Sequence, residues 1–409
     1  MPDRVILHCD LNNFYASAEC VSHAEWKNVP LAVCGDPSTR HGVVLAKNEI
    51  AKKAGIRTGD VIWQAKQKAP DLIVVPPHFE LYSEYSKQMF ELYTDFTDMV
   101  EPFGADECWL DVTGSQKLFG DGRAIADKIR ERVKKESGLT CSVGVSFNKV
   151  FAKLGSDLKK PDATTVITRD DFKQKLWGLK ADEMLMIGHK TYDKLLKLNI
   201  VTIGDLARAD SRMLKSNFGI NGLKMKASAL GEDTEPVREA VKSREIKSIG
   251  HGMTAVRDIE TISDARDLIF YLSEKVAARM RKQGVRGSLV SVGMRDCALF
   301  SIVRQRPLPV PTFSSDEIAE AALQVFSDNW NGDPMRTITV AMSKLEGSDA
   351  PKQMSFLTDV GRNDKLEKLD ETLDRITKKY GHVVHRASLI GKDFLYDKTD
   401  AEDFLPFKR

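Results

Sequence analysis

Adjacent carboxylates at Asp106 and Glu107 sit in the stretch VEPFGADECWLDVTG, between Gly104 and the aromatic-apolar run Cys108-Trp109-Leu110. A third acid, Asp10, closes the short apolar run of RVILHCDL. An isolated Asp-Glu pair is ordinarily a solvated turn. Here a strand ending in Asp10 and a hairpin rimmed by Asp106 and Glu107 would gather three carboxylates at one sheet edge, where they repel one another unless cations neutralise them. Carboxylate oxygens are the ligands Mg²⁺ prefers, and two such ions bridging carboxylates and a triphosphate serve phosphoryl and nucleotidyl transfer.

The flanking pattern supplies the elements that such a cluster needs. RVILHCDL reads as a buried strand, PLAVCGD and GVVLAKN as two more, and NEIAKKAG as a helix that Gly55 can cap. Residues 80–100 carry helical spacing of Leu81, Tyr85, Met89, Leu92, Tyr93 and Phe96, and GADECWLDVTG follows as a tight hairpin. RAIADKIRERVKKESG is an amphipathic helix and TCSVGVS a strand, which predicts an α+β sheet with helices on one face. Residues 168–240 read as a small all-α unit with turns at Gly188, Gly204 and Gly219. Beyond the charged connector VKSREIKSIG, strands and helices alternate as βαββαβ: a strand near 246–256, a helix near 263–283, strands in SLVSVGMR and FSIVRQRPL, a helix near 315–329, and a strand in RTITVAMSKL. The amphipathic KLEKLDETLDRITKKYG and a mixed-charge end, expected to be mobile, complete the chain.

With 409 residues, two to four domains are expected, and 42% apolar with 29% charged residues is a globular composition. No apolar run approaches a membrane span, so a cytoplasmic protein with no membrane association is expected. Cys9, Cys20, Cys34, Cys108, Cys141 and Cys297 form no C-x-x-C pair, which argues against zinc and for reduced, mostly buried thiols. Net charge is only +2, yet Val241 to Pro311 holds 13 Lys plus Arg against 7 Asp plus Glu, a local basic excess suited to phosphates.

VILHCDLNNFYASAE, FGADECWLDVTG and SVGVSFNKVFAKLGSDLKKPD resemble the three palm motifs of the Y-family translesion DNA polymerases, and the resemblance spans about residues 4–345. Within that family, CDLNNFYAS is similar to the polymerase V catalytic-subunit branch, beside the bacterial polymerase IV branch. The resemblance implies a multidomain α+β fold: palm at 1–12 and 80–167, fingers at 13–79, a helical thumb at 168–240, a βαββαβ little finger at 241–347, and a tail at 348–409. It implies a monomer that adds deoxynucleotides to primer-template DNA with two Mg²⁺ ions. Asp10 and Asp106 would hold the metals, the Leu11 carbonyl would be a further ligand, and Glu107 would help place the metal near the primer 3′ hydroxyl. Many relatives carry a second Asp where this chain has Asn12, but that Asp is not one of the family's metal-binding acids.

By the same resemblance, Tyr15 packs beneath the sugar of the incoming nucleotide, where a bulky ring clashes with a 2′ hydroxyl and selects dNTP. Relatives place Tyr and Arg three residues apart in the fingers to meet the triphosphate; this chain has Glu49 and Lys52, with Lys47 upstream, and Lys52 is the firmer match. Lys160 matches a palm lysine that binds the β and γ phosphates. MLMIGHKTYDKLLKLNIVTIGDL resembles a helix-hairpin-helix that holds a DNA phosphate, with Gly188 kept and Met186 at the other glycine position. Lys247, Arg304 and Arg306 are candidate DNA contacts in the βαββαβ domain, although a solvated charged face is the ordinary alternative. QMSFL resembles the peptide that binds the bacterial sliding clamp, with Gln353, Met354, Phe356 and Leu357 as its contacts. Two other classes stay open: another palm-type nucleotidyl-transfer enzyme such as a nucleotide cyclase, and a non-catalytic DNA-bound scaffold. No second acidic cluster of the exonuclease kind is seen, so proofreading is not expected.

Overall fold

The computed structural model describes residues 3–39, 42–239, 246–351, 360–381 and 384. The described residues divide into two compact units, 3–35 with 43–239, and 36–39 and 42 with 246–351, 360–381 and 384. Among the described residues, no helix is long and apolar enough to cross a membrane.

The first unit holds β1 (Ile6–Leu11), β2 (Leu31–Cys34), β3 (Val44–Lys47), β4 (Ile73–Val75), β5 (Val100–Pro102), β6 (Glu107–Asp111), β7 (Cys141–Ser146) and β8 (Thr164–Val166). Its main sheet runs β5-β6-β1-β7-β8, with β1 antiparallel to both neighbours. All six residues of β1 are buried, because the strand is covered on both faces. Leu7, Cys9 and Leu11 share a core with Met89 of the helix Phe79–Thr94 and with Ile125 and Ile129 of the helix Gly122–Ser137. The opposite face carries the helix Lys149–Leu158, so the expectation of helices on one face only is corrected. Asn148 caps that helix by accepting the Phe151 N–H at 2.8 Å. Gly144 lets it approach: a Cβ there would stand 1.9 Å from the Ala152 carbonyl oxygen.

The second sheet of this unit, β3-β2-β4, leads into the helix Glu49–Lys53, which Asn48 caps through the Ala51 N–H. Residues 172–229 are helical as expected, with Leu195, Ile203, Leu206 and Leu214 packed in one core with Phe147 and Phe151. Gly219 is a turn residue with φ +62°, but Gly204 lies inside the helix Ile203–Arg208. A capping box between Thr202 and Asp205 starts that helix one residue before Gly204, and overrides the turn signal.

The second unit follows the βαββαβ order: β9 (Ser248–Ile259), the helix Ile262–Gln283, β10 (Val285–Asp296), β11 (Ser301–Thr312), the helix Ser315–Asn329 and β12 (Met335–Gly347). Its sheet runs β11-β10-β12-β9, and both helices share a core with Val290, Val292, Ile338 and Val340. The alternate residues on the other face are small, with Gly252 paired to Thr339 and Gly250 to Ala341. Pro307, Pro309 and Pro311 lie on the edge strand, where a missing N–H breaks no ladder. The helix Val360–Tyr380 belongs to this unit too, fastened by Arg286 to Glu367 at 3.0 Å and by Arg281 to Asp370 at 3.3 Å.

Candidate active site

The pairing of β1 with β6 sets Asp10 directly opposite Glu107, and the Leu11 N–H donates to the Asp106 carbonyl at 3.1 Å. Asp10, Leu11, Asp106 and Glu107 therefore meet at one end of the sheet. They line a cavity of about 340 Å³ with Tyr15, Lys47, Lys153 and Lys160.

Two of those lysines neutralise the acids. Lys160 Nζ lies 2.7 Å from Asp10 Oδ2 and 2.8 Å from Asp157 Oδ1. Lys153 Nζ, projecting from the 149–158 helix, lies 3.1 Å from Asp10 Oδ2 and 2.9 Å from Glu107 Oε1. Burial disfavours charge on both lysines, but the carboxylates, Asp10 foremost, outweigh it and raise their pKa values. Burial also opposes ionisation of Glu107, yet His8 and Lys153 hold its carboxyl well below the usual carboxylate range. Asp106 goes the other way: burial and the charges of Asp10 and Glu107 push it up to about 7. Lys153 was not among the residues expected here. Its signal is its place on the helix that leads into the Lys160 loop, readable only once NKVFAKLGSDL is known to be a helix.

Asn12 is buried and contributes position rather than charge. Its Oδ1 accepts the Asp162 N–H at 2.8 Å and the Thr140 hydroxyl at 3.1 Å, and its Nδ2 donates to Ser142 Oγ at 2.9 Å. These bonds fasten the loop that carries Lys160. Tyr15 stacks on Tyr82 with ring centroids 4.3 Å apart and planes 6° from parallel. The Tyr82 hydroxyl donates to buried Glu19, so the ring beneath Tyr15 is itself fixed. Burial, aided by the charge of Asp106, raises the Tyr15 phenol to about 12 and keeps it neutral.

Lys47 and Lys52 stand differently toward this cavity. Lys47 lines the cavity and donates to Thr58 Oγ1 at 2.9 Å, whereas Lys52 is not part of the lining and pairs with Glu49 at 3.5 Å. Lys47 ends β3 and Lys52 lies on the five-residue helix that follows, so no single period in the sequence tells which of the two turns inward. Glu49 in turn accepts from Asn13 Nδ2 at 2.9 Å, tying this helix to the β1–helix turn.

Gly188 is exposed and caps the helix His189–Lys197 with no side-chain cap bond, while Met186 takes a left-handed φ of +71° and is 85% exposed. In the second unit Lys247 is exposed just before β9. Arg304 and Arg306 are exposed and pair in register with Val292 and Val290, so both lie on the helix side of the sheet and not on its small-residue face. Arg306 Nη1 is 4.0 Å from Asp328 Oδ2. Gln353, Met354, Phe356 and Leu357 lie outside the described residues.

Residues 9–157 match the model of the impB/mucB/samB family, and residues 246–356 match that family's C-terminal domain. The chain is 47% identical over 391 residues to DNA polymerase IV of Acetivibrio thermocellus, covering 95% of this chain and 98% of that protein. It is 35% identical over 408 residues to DNA polymerase IV 2 of Bacillus subtilis, covering 98% of each. In fold it is similar to the solved structure of a Y-family DNA polymerase chimera, with a TM-score of 0.73, 23% identity, and coverage of 83% of this chain and 98% of that one. With both matched segments in order and relatives aligned along nearly its whole length, the chain belongs to the impB/mucB/samB family of Y-family DNA polymerases.

Proposed function

We propose that this chain is a template-directed DNA polymerase that extends primers with deoxynucleotides and performs translesion synthesis. The convergence of Asp10, Asp106 and Glu107 with Lys47, Lys153, Lys160 and Tyr15 around one cavity carries the reading. The donor set fits a divalent cation. Asp106 is raised to about 7 with no ion pair of its own among the described residues, which is the condition of a carboxylate that lacks a counter-ion. Asp10, Asp106, Glu107 and the Leu11 carbonyl would hold two Mg²⁺ ions, which lower the pKa of a bound hydroxyl and neutralise charge on a triphosphate.

The protein's own residues do the rest. Lys160 and Lys47 supply positive charge for the β and γ phosphates, with Asn12 holding the Lys160 loop in place. Tyr15, braced by Tyr82, excludes a 2′ hydroxyl. Gly188, Lys247, Arg304 and Arg306 contact DNA phosphates, and Gln353 to Leu357 engage a sliding clamp. The domain limits proposed are palm 1–12 and 80–167, fingers 13–79, thumb 168–240 and little finger 241–347, acting as a monomer.

A nucleotide cyclase would need neither the helical 172–229 segment nor the βαββαβ unit. Primer extension with dNTPs and Mg²⁺ tests the reading directly. Asp10→Ala, Asp106→Ala and Glu107→Ala are each expected to lower extension by roughly a thousandfold or more while DNA affinity is retained. A folded Asp106→Ala protein extending at the parental rate would overturn the site assignment.

A further inference from the structure

His8 lies two residues before Asp10 on the same face of β1 and is fully buried. A buried histidine in a core is usually satisfied by backbone or hydroxyl groups. This one is satisfied on one side only. Its Nδ1 is 2.9 Å from the hydroxyl of Ser156, which is itself buried on the 149–158 helix. Its ring meets Trp109 edge-on at a centroid distance of 5.3 Å, and Trp109 is anchored in turn by donating to the Lys149 carbonyl at 3.0 Å. Its other nitrogen, Nε2, faces Glu107 Oε2 at 3.3 Å. Both of these atoms are buried and neither has a hydrogen-bond partner, so they face each other as a close but unformed donor–acceptor pair. The remaining oxygen of Glu107, Oε1, accepts from Lys153 at 2.9 Å.

We infer that His8 is a positioning residue for Glu107, a role that rests on the polymerase reading above: in the Nε2–H tautomer the Ser156 hydroxyl, a free rotor, turns from the Lys153 carbonyl 2.8 Å away to Nδ1, Nε2–H faces Oε2, and the carboxylate plane is thereby set. A carboxylate offers about four lone-pair directions, so one bond to each oxygen leaves room for a cation on both. With its plane held by His8 on one side and Lys153 on the other, Glu107 needs no reorientation when metal, primer and nucleotide arrive. Ser156 and Lys153 project from one helix, so the 149–158 helix positions Glu107 twice, once directly and once through His8.

The test is a double-mutant cycle on single-turnover primer extension, using His8→Phe, Glu107→Gln and the pair, with Mn²⁺ binding to the DNA-bound protein followed by electron paramagnetic resonance. His8→Phe keeps a ring and removes both nitrogens. It is expected to lower the maximal rate and weaken Mn²⁺ binding by roughly 10- to 100-fold, leaving the KM for dNTP unchanged. In the Glu107→Gln background it should add almost nothing, because the group it acts on has already changed. His8→Gln, whose amide can reach toward Oε2, should recover part of the loss. If His8→Phe does not fold, Ser156→Ala enters the same cycle, with the same direction expected. Losses that add fully in the double variant, or parental rate and Mn²⁺ affinity in the single variant, would overturn the role. Parental protein that extends no primer with dNTPs and Mg²⁺ would instead remove the polymerase reading itself.

Discussion

Lys160 Nζ lies 2.7 Å from Asp10 Oδ2, so the lysine proposed for the triphosphate is paired, without nucleotide, to an acid proposed for metal. Asp106 has no comparable ion pair among the described residues. Folded and metal-free, it keeps a proton up to about pH 7, against an ordinary value of 3.8. The folded state therefore binds more protons than the unfolded chain between those values, and stability falls as pH rises through that window. We expect metal-free Asp106→Asn to be more stable than the parent at about pH 8, by on the order of 1–2 kcal/mol, with little difference near pH 4. Urea unfolding in chelator at both pH values checks this, and equal stability at the higher one would contradict it.

Tyr15 stacks on Tyr82, so the sugar filter proposed for Tyr15 would be a two-ring device. Tyr15→Ala is expected to raise the NTP-to-dNTP efficiency ratio by roughly 10- to 100-fold. Tyr82→Leu, which removes the support and leaves the gate, should move the ratio the same way by less. Competitive incorporation assays read both, and an unchanged ratio in Tyr15→Ala would remove the gate.

Lys47 lines the cavity while Lys52 pairs with Glu49 outside it, so their contributions to triphosphate binding should differ. Lys47→Ala is expected to raise the KM for dNTP by about tenfold, the scale of one charge-assisted contact. Lys52→Ala should raise it by less. The reverse order would show that Lys52 swings inward when nucleotide binds.

A clamp peptide acts by tethering, which raises local concentration without touching chemistry. Replacing Gln353, Phe356 and Leu357 by Ala should abolish clamp-stimulated synthesis and leave extension without clamp unchanged. A binding titration that gives parent and triple variant the same clamp affinity would sink the assignment.

Much of the site was legible in the linear chain because its parts are local. Asp10 lies at the end of an apolar strand and Asp106 and Glu107 rim a hairpin, so spacing and polarity mark these acids, whereas Tyr15 is singled out only by the resemblance of the motif around it. The βαββαβ unit was equally readable, since each strand and helix carries its own period. The clamp assignment rests on QMSFL alone.

Contacts that join distant segments were not legible. His8 and Ser156 are 148 residues apart, Lys153 and Asp10 143, and Tyr82 and Glu19 63, and no periodicity relates them. The second helical layer followed from Gly144, whose missing side chain admits the 149–158 helix and with it Lys153 and Ser156. Which of Lys47 and Lys52 faces the cavity, and which face of β11 bears Arg304 and Arg306, depended on strand register and helix packing. Sequence determined which groups could do chemistry, because residue type and local period are written in it; tertiary packing decided which groups hold them in place, because a pairing energy exists only once distant segments share a core.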